Sequence, residues 1–101
     1  MTQIEKTNDT CLVKPTGMIT AAHVDEFREE LLHLVKEGAT DLTIDLAEVE
    51  MIDSRGLSVF VLCHRTLLKC KGQLTVVTHS DDLHKLFTLM RLDQHFTVKA
   101  A

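Results

Sequence analysis

At 101 residues the chain has room for one domain, residues 1–101, and Leu, Ile, Val and Phe supply 32 of those residues. That share lies well above the roughly 20% below which a charged chain stays disordered, so a folded domain is expected. Eleven Lys and Arg against fifteen Asp and Glu leave a net charge of −4, which removes the attraction on which phosphate-backbone binding depends and argues against nucleic acid as a partner. No apolar run approaches the roughly 18–20 residues of a membrane span. The opening Met1-Thr2-Gln3-Ile4-Glu5-Lys6 lacks the basic-then-apolar order of a signal peptide. A cytoplasmic protein without direct membrane insertion is expected.

Gln3–Thr7 and Thr10–Lys14 read as a hairpin turning at Asn8-Asp9, with Pro15-Thr16-Gly17 ending its second strand. Thr20 is a good N-cap, and Val24, Phe27, Leu31, Leu34 and Val35 then recur at helical spacing until Gly38 stops the helix. Asp41–Leu46 alternates polar with Leu42, Ile44 and Leu46, the period of a strand, and feeds the segment Ala47–Asp53. A second helix is expected from Ser54 to Lys71, closed by Lys71-Gly72, with Leu57, Phe60, Val61, His64, Leu67 and Leu68 on its apolar side. Gln73–Thr78 reads as a strand. Ser80 then caps a third helix, with Asp81 and Asp82 in its first turn and a buried stripe of Leu83, Phe87 and Met90, or of Leu86 and Leu89. A last strand fits His95–Lys99. The order ββ-α-β-α-β-α predicts an α/β fold: helices packed on a mixed, mostly parallel sheet with a leading hairpin.

Catalysis and metal binding find little support. A serine nucleophile elbow would want Gly-x-Ser-x-Gly, but Ile52 stands two residues before Ser54, so no catalytic residue is assigned and no enzyme is expected. None of the six histidines forms a His-x-x-x-His pair, and Cys11, Cys63 and Cys70 contain no C-x-x-C, so neither a metal site nor any other cofactor is expected. Reduced structural cysteines fit better, with Cys63 and Cys70 filling space on one helical face. His64 reads as a packed, hydrogen-bonded histidine. The acidic residues Asp25, Glu26, Glu29, Glu30 and Glu37 read as the solvated side of the first helix.

One segment stands apart. Ile44-Asp45-Leu46 and Met51-Ile52-Asp53-Ser54-Arg55-Gly56-Leu57 carry an apolar strand into a helix within a few residues, with a serine at the junction. Asp53 or Ser54 can serve there as an N-cap. The unpaired N–H groups of a helix start also suit a negative group, so a phosphate on Ser54 would meet ready donors. Gly56 keeps the first turn uncrowded.

Across nearly its whole length the chain resembles the sulphate-transporter and anti-sigma-factor antagonist (STAS) domain family. The resemblance begins at Gly17-Met18-Ile19-Thr20, centres on Asp53-Ser54-x-Gly56-Leu57, includes Gly72 and ends with Leu83–Leu92 and Phe96. It implies an anti-sigma-factor antagonist whose partner is both anti-sigma factor and serine kinase. Ser54 is the implied phosphorylation site. Phosphorylation would break the complex and a serine phosphatase would restore it. Thr20, Asp53, Arg55, Gly56, Leu57 and Ser58 are the implied partner-binding positions, and a homodimer is compatible with the reading.

Three positions depart from the family pattern. Arg55 stands where a small residue is usual, Thr20 replaces an aspartate, and Arg91 takes a place usually held by glycine. Two other readings remain open: an accessory STAS subunit, transporter-associated or stressosome-like, that docks without phosphorylation, and a sensor binding a nucleotide or another small molecule.

Overall fold

A computed structural model describes residues 2–101. The chain forms β1 (Thr2–Thr7), β2 (Thr10–Ile19), α1 (Val24–Lys36), β3 (Asp41–Asp45), β4 (Glu48–Ile52), α2 (Ser54–Lys69), β5 (Gln73–Thr78), α3 (Asp81–Leu89), a short 3-10 turn at Leu92–Gln94, and β6 (Thr97–Ala100). The sheet runs β1-β2-β3-β5-β6, with β4 paired to β2. Only β1 and β2 are antiparallel; the other pairings are parallel. Parallel neighbours need a long crossover: α1 joins β2 to β3, α3 joins β5 to β6, and β4 with α2 carries the chain from β3 to its parallel neighbour β5.

Alternation along the strands places Val13, Leu42, Ile44, Leu74 and Val76 in the core, where they meet the apolar stripes of the helices. Phe60 of α2 sits at the junction. Its ring lies 5.7 Å from Phe27 of α1 and, edge-on, 5.2 Å from Phe87 of α3, so one aromatic side chain links all three helices. This packing fixes α2 against its neighbours and thereby fixes the position of its first turn.

The hairpin, its turn at Asn8, the span of β5 and the Ser80 cap match the sequence reading; Asn8 takes φ 57° and Ser80 Oγ accepts from the Leu83 N–H at 3.2 Å. Several expectations are corrected. β2 does not end at Pro15 but runs on to Ile19, exchanging one set of neighbours for another: Thr10–Val13 pair with β3, and Thr16–Ile19 pair with β4. The register shifts between Gly17 and Met18, where Gly17 has φ 81°, a conformation that a residue without Cβ adopts at little cost. Thr20 does not cap α1. A turn closed by the His23 N–H on the Thr20 carbonyl comes first, and α1 begins at Val24 without a side-chain cap.

The segment after β3 contains a strand, β4, that the sequence reading did not separate. α2 ends at Lys69, and Lys71 takes φ 60° beyond it. In α3 only Leu83 and Phe87 of the proposed stripe are buried; Leu89 and Met90 are exposed. Cys63 is buried, but Cys70 lies exposed at the C-cap. His64 packs against Phe96, yet its buried Nδ1 has no hydrogen-bond partner among the described residues. Arg91 takes φ 58°, so the left-handed turn is kept with arginine in place of glycine, at about 1 kcal/mol.

Candidate functional site

The site forms where the second half of β2, β4 and the start of α2 converge. Asp53 has extended backbone and is the N-cap of α2; its Oδ1 accepts from the Gly56 N–H at 2.8 Å. The other oxygen, Oδ2, accepts from the Ala21 N–H at 3.0 Å. One carboxylate therefore caps α2 and ties it to the loop between β2 and α1. These amide donors favour the charged form, and together with the nearby Arg55 guanidinium they hold the Asp53 carboxyl below its ordinary value, the Gly56 N–H contributing most and the Ala21 N–H next.

The same junction explains Gly56. A Cβ there would fall on the Ile19 carbonyl oxygen and would lie 2.9 Å from Cγ2 of Ile52. Backbone approaches backbone at this point, and the Asp53 N–H donates to the Ile19 carbonyl at 3.3 Å. The absence of a side chain at Gly56 lets α2 begin against the ends of β2 and β4.

Ser54 is the first residue of α2 and is exposed. Its hydroxyl has no hydrogen-bond partner among the described residues, because Asp53 already performs the capping. Arg55 and Ser58 are exposed as well, and Ser58 Oγ donates to the Arg55 carbonyl at 2.6 Å. Gly56 and Leu57 are buried. They hold the turn in place from beneath. Thr20 is half-buried in the loop that Asp53 anchors. Of the six implied partner-binding positions, the structure thus leaves Arg55 and Ser58 fully on the surface beside Ser54.

Sequence reasoning did not find the apolar residues beside this turn. Met18 of β2 and Met51 of β4 are register partners and are 46% and 51% exposed, whereas the next pair, Ile19 and Ile52, is buried. Paired residues of neighbouring strands share a face and successive residues alternate, so both methionines project outward just before the chain enters the site. Next to them a cleft of about 320 Å³ lies between β2 and α1, lined by residues that include Met18, Ile19, His23, Glu26 and Glu30.

Other polar groups serve structural ends. His79 Nε2 is 2.7 Å from Asp45 Oδ1, and that same oxygen accepts from the Ala47 N–H at 3.0 Å, closing the bend between β3 and β4. Thr78, buried in β5, donates to the Lys99 carbonyl and contacts His84 Nδ1, each at 3.1 Å. Among the described residues no three His, Cys, Asp or Glu side chains are grouped to hold a metal ion, and no helix is long and apolar enough to cross a membrane.

Residues 2–99 match the family described as "Mlab, STAS domain". The anti-sigma-B factor antagonist of Listeria monocytogenes is 34% identical over 94% of this chain and 83% of its own length. Among solved structures, an anti-sigma factor antagonist from Mycobacterium paratuberculosis superposes with a TM-score of 0.88 at 24% identity, covering 98% of this chain and 84% of that one. The Bacillus cell fate determinant SpoIIAA in its phosphorylated form gives a TM-score of 0.76 at 20% identity, covering 97% of this chain and 90% of that one. On the match to the family and the identity to its curated relative, the chain belongs to the STAS domain family.

Proposed function

We propose that this protein is an anti-sigma-factor antagonist: it binds an anti-sigma factor that is also a serine kinase, and phosphorylation of Ser54 switches it off. The observation that carries the reading is the exposed Ser54 hydroxyl, left unengaged among the described residues because Asp53 caps α2 in its place. A kinase can reach such a hydroxyl without unfolding the helix. The relatives' names, anti-sigma-B factor antagonists, support the partner class.

The switch needs no refolding. A phosphate adds about −1.5 to −2 charges, and each close like-charge pair at a docking surface costs roughly 1–4 kcal/mol. At about 1.4 kcal/mol per tenfold in affinity, one or two such contacts release the partner. Met18 and Met51 beside the turn would anchor the unphosphorylated complex through apolar contact, and removal of the phosphate by a phosphatase restores it. The cleft next to the site is walled by Glu26 and Glu30, which repel a nucleotide's phosphates and so favour the docking reading over a nucleotide sensor.

The test is to incubate the protein with serine-kinase anti-sigma factors and ATP and to locate phosphate by mass spectrometry. Labelling at Ser54 that disappears in Ser54→Ala is expected. Labelling elsewhere, or none with a kinase that binds the protein, would overturn the reading.

A further inference from the structure

The first turn of α2 differs from those of the other helices in charge. α1 begins with Asp25 and Glu26 and α3 with Asp81 and Asp82, but α2 has no acidic residue in its first turn and one cation, Arg55. A cation at this end of a helix opposes the helix dipole, so Arg55 gains nothing from the dipole there. Its guanidinium is exposed and makes no ion pair among the described residues. The carboxylate of Asp53, two residues earlier, has both oxygens engaged by the amides of Gly56 and Ala21. Arg55 nevertheless lies within electrostatic reach of Asp53, the residue that precedes Ser54 in the chain. Consecutive residues of a helix point in different directions, but side chains in a first turn lean back past the open helix end, and the long arginine side chain can reach across it to a phosphate on the preceding residue.

Building on the proposed phosphorylation of Ser54, we infer that Arg55 is a phosphate clamp: once Ser54 is modified, the guanidinium turns onto the phosphate. Modification then does two things at the docking surface. It adds an anion, and it withdraws the cation that the unmodified protein presents to its partner. An arginine fork suits this role because it can meet two phosphate oxygens at once. The phosphate of the clamped form carries a full second charge at lower pH than an isolated phosphoserine, since a neighbouring cation favours the dianion.

The experiment uses the full chain with phosphoserine placed at position 54 during translation, so it requires no kinase and can succeed or fail independently of whether one modifies Ser54. The second ionisation of the phosphate is followed by phosphorus NMR across pH 5–8, a range set by the ordinary value of about 6. Arg55→Ala is expected to raise that pKa by about half a unit at low salt, Arg55→Lys to raise it less, and the difference between wild type and Arg55→Ala to shrink as salt screens the pair. A chemical-shift map of the amide resonances checks that each variant keeps its fold. An unchanged pKa in a folded Arg55→Ala variant would overturn the clamp.

Discussion

α2 and α3 start in much the same way, each just after a strand and each with a side-chain oxygen closing its first turn, yet the two starts are built for different ends. At α3 the cap is a serine: Ser80 Oγ is occupied by the Leu83 N–H, and two aspartates follow where the dipole favours them. At α2 the cap is an aspartate, and the serine comes one residue later, exposed and unengaged among the described residues. A serine at a helix start is therefore either a structural cap or an available hydroxyl, and the identity of the residue before it decides which. The α2 start also depends on distant parts of the chain, through Ala21 and Ile19, whereas the α3 cap is local.

That contrast can be broken most severely at Gly56. Gly56→Ala puts a methyl group on the Ile19 carbonyl, and the required shift of backbone is expected to cost roughly 1–3 kcal/mol, read as a fall in the urea midpoint. The two serines should then separate cleanly. Ser80→Ala removes a cap and should cost about 1 kcal/mol, while Ser54→Ala should stay within about 0.5 kcal/mol of wild type. Equal losses at both positions would show that Ser54 is held by the fold after all.

Asp53 gives a finer test through pH. Its folded pKa is lowered from the ordinary 3.8, so the stability it contributes is present above that value and is lost as pH falls through the folded pKa. Asp53→Asn should therefore flatten the stability profile below about pH 4, compared by thermal melts at closely spaced pH values.

Local signals made much of this legible. The Ser80 cap and the span of β5 follow from a hydroxyl before two acidic residues and from a short β-branched run flanked by turn residues. The Ser54 junction was visible in the same way, as an apolar strand meeting Asp53-Ser54. What could not be read depended on contacts far apart in sequence. Pro15 looked like a strand end, but it pairs with Thr2 at the last register position of the hairpin, where a missing N–H is tolerated, and β2 continues by taking β4 as its new neighbour. β4 itself lacks period-two patterning, since its buried residues Val49 and Ile52 are three apart. Thr20 resembled a cap because nothing local reveals that Asp53, more than thirty positions away, takes up the Ala21 amide and shapes that loop. Leu57, by contrast, was legible: its place on the apolar side of the second helix marked it as core, and the packing of α2 buries it.

The most direct measurement compares the affinity of the unmodified protein and of the protein carrying phosphoserine at position 54 for the same anti-sigma kinase, by calorimetry at physiological salt. The account predicts binding at least about tenfold weaker for the phosphorylated form, with Ser54→Ala binding like the unmodified protein. Equal affinity of the two forms would contradict it.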